Sequence, residues 1–210
     1  MIHILIADDH AIVRQGLKQI LADAADLVVT GEAENGLEAL RMLREQPYDM
    51  LLLDIAMPGK SGVEVLKQIK QELPKLPVLI LSMYPEEQYA VRLIKAGAAG
   101  YLTKESAPEQ LVKAIRTVAQ GKRFINASVA ELLANELERD SDQPPHQALS
   151  DREFQILRLL ASGKTVSEIA DALALSVKTI STYRVRLLEK MQLKNNAELT
   201  HYAIRNQLVE

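Results

Sequence analysis

The sequence predicts a doubly wound α/β domain of five βα units followed by a small all-helical domain. Three observations carry this. Short apolar runs alternate with helical periodicity through the first 120 residues. Two of those runs are nearly all apolar, as strands covered on both faces must be. Beyond a polar, proline-containing stretch at residues 140–145, only helical periodicity remains. A chain of 210 residues also suits two domains of ordinary size, each with its own core.

The expected strands are His3 to Ala7, Leu27 to Glu32, Met50 to Leu53, Val78 to Leu81 and Gly100 to Leu102, the third and fourth being central. Val13, Leu17, Ile20 and Leu21 recur at helical spacing after the first strand, and Leu111, Ile115 and Val118 do so after the last. A further helix is expected from Ala127 to Arg139, capped by Ser128 and presenting Val129, Leu132, Leu133 and Leu137. The following Asp140-Ser141-Asp142-Gln143-Pro144-Pro145 can hardly continue it and reads as linker. The expected division is therefore residues 1–120, a linker with a short helix over 121–145, and a second domain over 146–210. Ser150 and Glu153 form a capping-box pattern ahead of Phe154, Ile156, Leu157, Leu159 and Leu160, which opens the second domain.

Composition narrows the chemistry. The chain has no cysteine, which excludes disulfides and thiolate ligands, and its four histidines are scattered, so any metal must be held by oxygen. No apolar run approaches the ~18 residues of a membrane span. The start, Met1-Ile2-His3-Ile4-Leu5-Ile6-Ala7, lacks signal-peptide features, so a cytoplasmic protein with no membrane partner is expected. Net charge is −3, yet residues 146–210 carry 9 basic and 7 acidic side chains. That surplus is too slight to argue nucleic-acid binding without the positions of the cations.

Those positions are informative in both halves. Asp8 and Asp9 follow the first strand, Asp54 ends the third, Ser82 ends the fourth and Lys104 follows the fifth. In a doubly wound sheet these strand ends meet in one crevice, where ligands bind. Singly, each residue has an ordinary reading: an acidic pair caps a helix, Ser82 fills a turn, Tyr101 packs in the core, Lys104 is solvated. All of them converging on one crevice is a different matter. Three crowded carboxylates repel one another unless a hard cation such as Mg²⁺ neutralises them. With Lys104 and that cation screening its charge, Asp54 can attack a phosphoryl group, since such transfer depends mainly on positioning and charge neutralisation. Ile55-Ala56-Met57-Pro58-Gly59 then turns the chain beside it. His10 reads as a structural first-turn residue. No Gly-rich phosphate loop follows the first strand, which argues against a nucleotide or flavin enzyme.

With this set of residues, positions 1–120 resemble the flavodoxin-like receiver domain of two-component response regulators. The resemblance implies that Asp54 is the phosphoacceptor and that Asp9, Asp54 and the Ala56 carbonyl hold Mg²⁺, with Asp8 helping through water. It also implies that Ser82 and Lys104 grip the phosphoryl group while Tyr101 turns inward as the switch aromatic. The sequence departs from the common pattern at Lys104-Glu105, where Lys-Pro is usual. The residues two beyond Asp54 and Ser82, Ala56 and Tyr84, cannot orient a hydrolytic water, so slow self-dephosphorylation is expected.

In the second domain Ser162-Gly163-Lys164-Thr165 breaks one helix, Ser167 to Leu173 forms a short one, and Ala174-Leu175-Ser176 turns into another at Val177, which is helix-turn-helix spacing. Ile180, Leu187, Leu188 and Met191 can face a core, leaving Lys178, Ser181, Thr182 and Val185 on the opposite stripe with Arg184 and Arg186 at its edges. Small side chains flanked by cations fit a major groove. Leu149-Ser150-Asp151-Arg152-Glu153, Glu168-Ile169-Ala170 and Ser176-Val177-Lys178-Thr179-Ile180-Ser181 resemble the four-helix, LuxR-type DNA-binding domain of NarL/FixJ response regulators. The run Lys178 to Arg184, with Glu198-Leu199-Thr200-His201, is most similar to the GacA/UvrY branch, although Tyr183 stands where many members carry His. The resemblance implies DNA contacts by Lys164, Lys178, Thr179, Ser181, Thr182, Val185 and Arg186, and pairing of two heads through Ala197 to Asn206. It further implies a non-enzymatic transcription factor that a sensor histidine kinase phosphorylates, and that then dimerises on promoter DNA.

Overall fold

A computed structural model of the chain describes residues 1–138 and 144–209. Residues 139–143 of the expected linker, and the side chain of Leu137, lie outside the described residues. The backbone divides into two compact units, Met1–Glu131 and Leu132–Glu210.

The first unit alternates β1 (Ile2–Ala7), α1 (Ala11–Ala22), β2 (Leu27–Ala33), α2 (Gly36–Glu45), β3 (Met50–Asp54), α3 (Gly62–Glu72), β4 (Val78–Ser82), α4 (Glu86–Lys95), β5 (Gly100–Thr103) and α5 (Pro108–Ala119). All five strands pair in parallel in the order β2-β1-β3-β4-β5, the flavodoxin-like doubly wound arrangement. The reversal of order between β1 and β3 creates the crevice. β3 is central as expected, but β1 is as internal as β4, and its Ile4-Leu5-Ile6-Ala7 run is fully buried. Alternation along the strands sends Ile4, Ile6, Met50, Leu52, Leu79 and Leu81 to one face. There they pack with Leu17 and Leu21 of α1 and with Leu111, Ile115 and Val118 of α5. Leu5, Leu51, Leu53 and Ile80, out of phase with these, are buried as well.

One cap differs from expectation. The helix over residues 127–138, α6 (Ala127–Glu138), begins as anticipated, but Ser128 does not cap it. Asn126 does: its Oδ1 accepts from the Val129 N–H at 2.9 Å while its Nδ2 donates to Glu86 Oε1 at 2.5 Å. An amide carries both an acceptor and donors, so Asn126 satisfies the first turn of α6 and a carboxylate of α4 together.

The second unit holds a 3-10 turn (Pro145–Ala148), α7 (Asp151–Ala161), α8 (Val166–Ala172), α9 (Val177–Met191) and α10 (Asn196–Arg205) around Phe154, Leu157, Leu160, Ile169, Ile180, Leu187 and Leu199. The capping box at Ser150 forms, with Ser150 Oγ accepting from Glu153 N at 3.3 Å and Ser150 N donating to Glu153 Oε2 at 2.8 Å. A second box that the reading of the sequence overlooked joins Thr165 and Glu168 at the start of α8. Between α7 and α8 the chain turns through Gly163, at φ +85°, a left-handed conformation that glycine adopts without strain.

Glu153 also accepts from Lys190 Nζ at 2.8 Å, tying α7 to α9. Burial would raise its carboxyl, but Lys190 and Ser150 outweigh burial and hold it below the usual range. Its folded value is depressed, so its stabilisation is complete above the unfolded value of about 4.5 and is lost as pH falls through the folded one. Glu153→Gln is therefore expected to cost about 1–2 kcal/mol at pH 7. That cost should shrink as pH falls through the folded value, below which both proteins carry an uncharged side chain. Urea unfolding across this pH range is the check, and a cost independent of pH would contradict it.

Candidate functional site

The acidic crevice forms at the C-terminal ends of β1, β3 and β5. Asp54 is the last residue of β3, pairs with Leu81 in register, and is only 2% exposed. Its Oδ1 accepts from the Ala56 N–H at 3.1 Å and its Oδ2 accepts from Lys104 Nζ at 2.8 Å. Lys104 Nζ also lies 2.6 Å from Asp8 Oδ2, so one ammonium bridges two buried carboxylates. Lys104 reaches this position because its own N–H is held by the Ser82 carbonyl at 2.8 Å, continuing the β4–β5 ladder past the end of β5.

Glycine explains how α3 comes so close. A Cβ on Gly62 would lie 2.1 Å from the Asp54 carbonyl oxygen, so only glycine lets the first turn of α3 abut the strand end that carries Asp54. The residue was not singled out from the sequence, since the neighbour it must clear is backbone eight positions away.

Asp9 and His10 complete the cluster. The ligand atoms of Asp8, Asp9, His10 and Asp54 all lie within 4.8 Å of one another. Asp9 Oδ1 is buried and has no hydrogen-bond partner; His10 Nδ1 stands 2.9 Å away without the geometry for one. A buried, unsatisfied carboxylate oxygen among two further carboxylates fits a hard divalent cation. His10 is the residue the sequence reading missed. It is the N-cap of α1 rather than a first-turn residue and makes no side-chain cap bond, because its ring turns toward the acids. Its position immediately after Asp9 was the available signal.

The electrostatics agree with a site short of positive charge. Burial raises the Asp54 carboxyl above the usual range, more strongly than Lys104 lowers it, and the Asp8 charge adds to the rise. Burial works to lower the Lys104 amine, but Asp54 and Asp8 outweigh it and hold it above its ordinary value. One lysine cannot balance this many acids in a desolvated crevice.

Ser82 and Tyr101 are joined through one peptide segment. Ser82 is fully buried and its Oγ accepts from the Tyr84 N–H at 3.0 Å. Tyr101, 1% exposed, turns inward and its hydroxyl donates to the Tyr84 carbonyl at 2.7 Å. No peptide bond among the described residues is cis, including Lys104-Glu105.

In the second unit Lys164, Lys178, Ser181, Thr182, Val185 and Arg186 are all exposed, and Ile180, Leu187, Leu188 and Met191 are buried, as the periodicity implied. Three details differ. Thr179 is half-buried and its hydroxyl pairs with the N-cap Ser176 at 2.7 Å. Thr182 Oγ1 donates back to the Lys178 carbonyl at 3.0 Å, so its methyl group and the acceptor side of its hydroxyl are left for a partner. Arg184 is not an edge cation: its Nε donates to Asn196 Oδ1 at 2.7 Å, holding the start of α10 against α9. Val177, 50% exposed like Val185, adds an exposed apolar side chain at the first position of α9 that went unnoticed in the sequence.

Comparison with known proteins matches both units. Residues 4–116 match the response regulator receiver domain and residues 147–203 the bacterial regulatory proteins of the luxR family. The chain is 38% identical over 209 residues to the response regulator UvrY of Escherichia coli strain K12, covering 99% of this chain and 96% of that one. It is 38% identical over 211 residues to the response regulator GacA of Pseudomonas aeruginosa, covering 100% and 99%. Among solved structures it resembles RcsB of Salmonella enterica serovar Typhimurium bound to the promoter rprA in the presence of the phosphomimetic BeF3-. That likeness has a TM-score of 0.66 and 29% identity, over 96% of this chain and 98% of that one.

Proposed function

The chain belongs to the NarL/FixJ family of response regulators, transcription regulators that join a receiver to a LuxR-type DNA-binding domain, and from that premise we propose that phosphorylation of Asp54 by a sensor histidine kinase pairs two chains on promoter DNA. The observation that carries this reading is the single buried ammonium of Lys104 bridging Asp8 and Asp54. The test is size exclusion and DNA binding on the full chain, side by side, with and without Mg²⁺ and acetyl phosphate. A shift to dimer with tighter DNA binding is expected, and equal affinity in both conditions would overturn the proposal.

In the proposed reaction an Asp54 carboxylate oxygen forms a bond to phosphorus, and the bond from phosphorus to the donor atom breaks, its electron pair leaving with the donor. Asp8, Asp9, Asp54 and the Ala56 carbonyl would hold Mg²⁺, which when bound neutralises the acids and the phosphoryl oxygens. Lys104 is placed to follow an equatorial oxygen, since it already rests on Asp54. Ser82 would turn to donate its O–H to a phosphoryl oxygen, giving up its place as acceptor for the Tyr84 N–H. Because the same Tyr84 residue receives the Tyr101 hydroxyl, that exchange would be felt at Tyr101 and at the start of α4. The response is a population shift between two packings. Turnover of other substrates is not part of the proposal, nor is a membrane. Among the described residues no helix is long and apolar enough to cross one, and the cytoplasm is the proposed setting.

The acyl phosphate is proposed to be long-lived, because Ala56 and Tyr84 offer no carboxylate or amide to orient water. Ala56→Asn is expected to shorten its lifetime about tenfold or more, read by phosphoprotein decay after removal of the donor. An unchanged lifetime would contradict this.

For DNA, Ser181, Thr182, Val185 and a partly occupied Thr179 are proposed to face base edges, with Lys164, Lys178 and Arg186 on phosphates. No arginine, asparagine or glutamine lies squarely on the reading stripe, so the bidentate base contacts worth about 1–3 kcal/mol each are scarce and one head binds weakly. Linking two heads through paired receivers makes the second contact intramolecular, at an effective concentration on the order of millimolar. Lys178→Ala is expected to weaken binding to all sequences alike and to reduce the slope of log K against log salt by about 1. A sequence-dependent loss with unchanged slope would instead make Lys178 a base reader.

A further inference from the structure

We infer that Arg14 is a positioning residue for the cation site, holding the Asp8–Asp9 corner from behind; the inference rests on the reading of that site as a cation site. Arg14 lies on α1 and is only 7% exposed. Its Nη1 donates to the Asp8 carbonyl at 2.7 Å and its Nη2 to Glu34 Oε1 at 2.7 Å, with Nε 3.5 Å from Glu32 Oε2. These partners sit at the end of β1, on β2 and in the connection to α2, so the guanidinium ties α1 to the first and last by hydrogen bonds and to β2 by charge alone, its Nε making no hydrogen bond.

The Asp8 carbonyl is the telling partner. It lies just past the end of β1, where ladder pairing stops, and belongs to the peptide plane that joins Asp8 to Asp9. The Asp8 N–H is held by the Ala33 carbonyl at 3.1 Å and the Asp8 C=O by Arg14, so both peptide planes flanking the Asp8 Cα are fixed. Rotation of the second plane would swing the Asp9 carboxylate away from that of Asp8. Glu34, the outer anchor of Arg14, is itself fixed, its N–H donating to Glu38 Oε2 at 2.8 Å. Lys18 likewise holds Glu32 at 2.7 Å.

Two effects of Arg14 on a bound cation oppose each other. Its charge repels the ion, while its hydrogen bonds fix how the Asp9 ligand stands relative to Asp8. Glu32 and Glu34 already neutralise much of that charge. A Mg²⁺ ion demands near-octahedral oxygens, and partners that orient ligands typically govern affinity by about 10–100-fold. Geometry wins, and the two effects have opposite signs in an experiment.

The experiment is calorimetric titration of the full chain with Mg²⁺ alone, no phosphodonor present, paired with melting temperatures measured without Mg²⁺. Arg14→Ala is expected to raise the Mg²⁺ dissociation constant about tenfold or more. Arg14→Lys, which can reach the Asp8 carbonyl or Glu34 but not both, should fall between it and the wild type. A lowered melting temperature with unchanged Mg²⁺ affinity would make Arg14 merely a structural anchor and overturn the inference. Tighter binding would leave it a merely electrostatic role and overturn it equally. If Arg14→Ala does not fold, Arg14→Lys and Glu34→Ala decide. Glu34→Ala removes only a 70%-exposed outer anchor, with an expected weakening of about threefold, and no weakening in either variant overturns the inference. Failure of the wild type to bind Mg²⁺ would instead overturn the cation site itself, and this inference with it.

Discussion

Asp54→Asn is expected to abolish phosphorylation. After incubation with Mg²⁺ and acetyl phosphate, the wild type should gain the mass of one phosphoryl group and the variant none. Its DNA affinity should also stop responding to the donor. The loss would be chemical rather than a failure to fold. Without Mg²⁺, burial raises the Asp54 carboxyl above its ordinary value. A carboxyl raised by folding contributes stability that is complete below the unfolded value and is lost as pH rises through the folded one. At neutral pH the charge on Asp54 therefore costs stability, and the neutral amide removes that cost while Lys104 keeps Asp8 at 2.6 Å. Metal-free Asp54→Asn should be at least as stable as the wild type at pH 7, by denaturant unfolding. A variant that folds but still takes up one phosphoryl group would show that another residue is the acceptor.

Lys104→Met is expected to have the largest effect on stability. Its side chain is 7% exposed and its ammonium bridges two buried carboxylates, so its removal leaves both without that cation. Breaking a buried pair by deleting one partner costs about 3–5 kcal/mol. Here the deficit should shrink in either of two ways. Saturating Mg²⁺ would supply the missing charge. Lowering the pH would let the carboxylates protonate and remove the repulsion. Unfolding of wild type and variant in EDTA and in Mg²⁺ tests this. An equal loss in both conditions would mean that Lys104 matters for packing alone and that the crevice does not share its charge with a cation.

Much of this was legible before the structure. The strands could be read because a parallel strand buried on both faces is an unbroken apolar run, as at Leu51-Leu52-Leu53 and Val78-Leu79-Ile80-Leu81. The acid site could be read because a doubly wound sheet brings strand ends to one edge, so Asp8, Asp54 and Lys104 had to be neighbours wherever the helices went. The inward face of α9 followed from a 3.6-residue period. Residues whose role depends on a partner distant in sequence gave no such signal. Arg14 looks like an ordinary helix cation until the Asp8 carbonyl, Glu32 and Glu34 surround it. Arg184 looks like a phosphate contact until Asn196 claims it.

By itself, then, the sequence determined the order of elements, the fold class and the gathering of Asp8, Asp9, Asp54 and Lys104 at one edge of the sheet, because periodicity and strand-end position are local properties that topology converts into proximity. Only the tertiary structure decided which hydrogen bonds each polar side chain makes: Asn126 rather than Ser128 at the start of α6, His10 turned to the acids, and the Tyr84 peptide groups shared between Ser82 and Tyr101. A donor bonds to whatever acceptor folding places within about 3 Å, and that distance is set by packing among residues far apart along the chain.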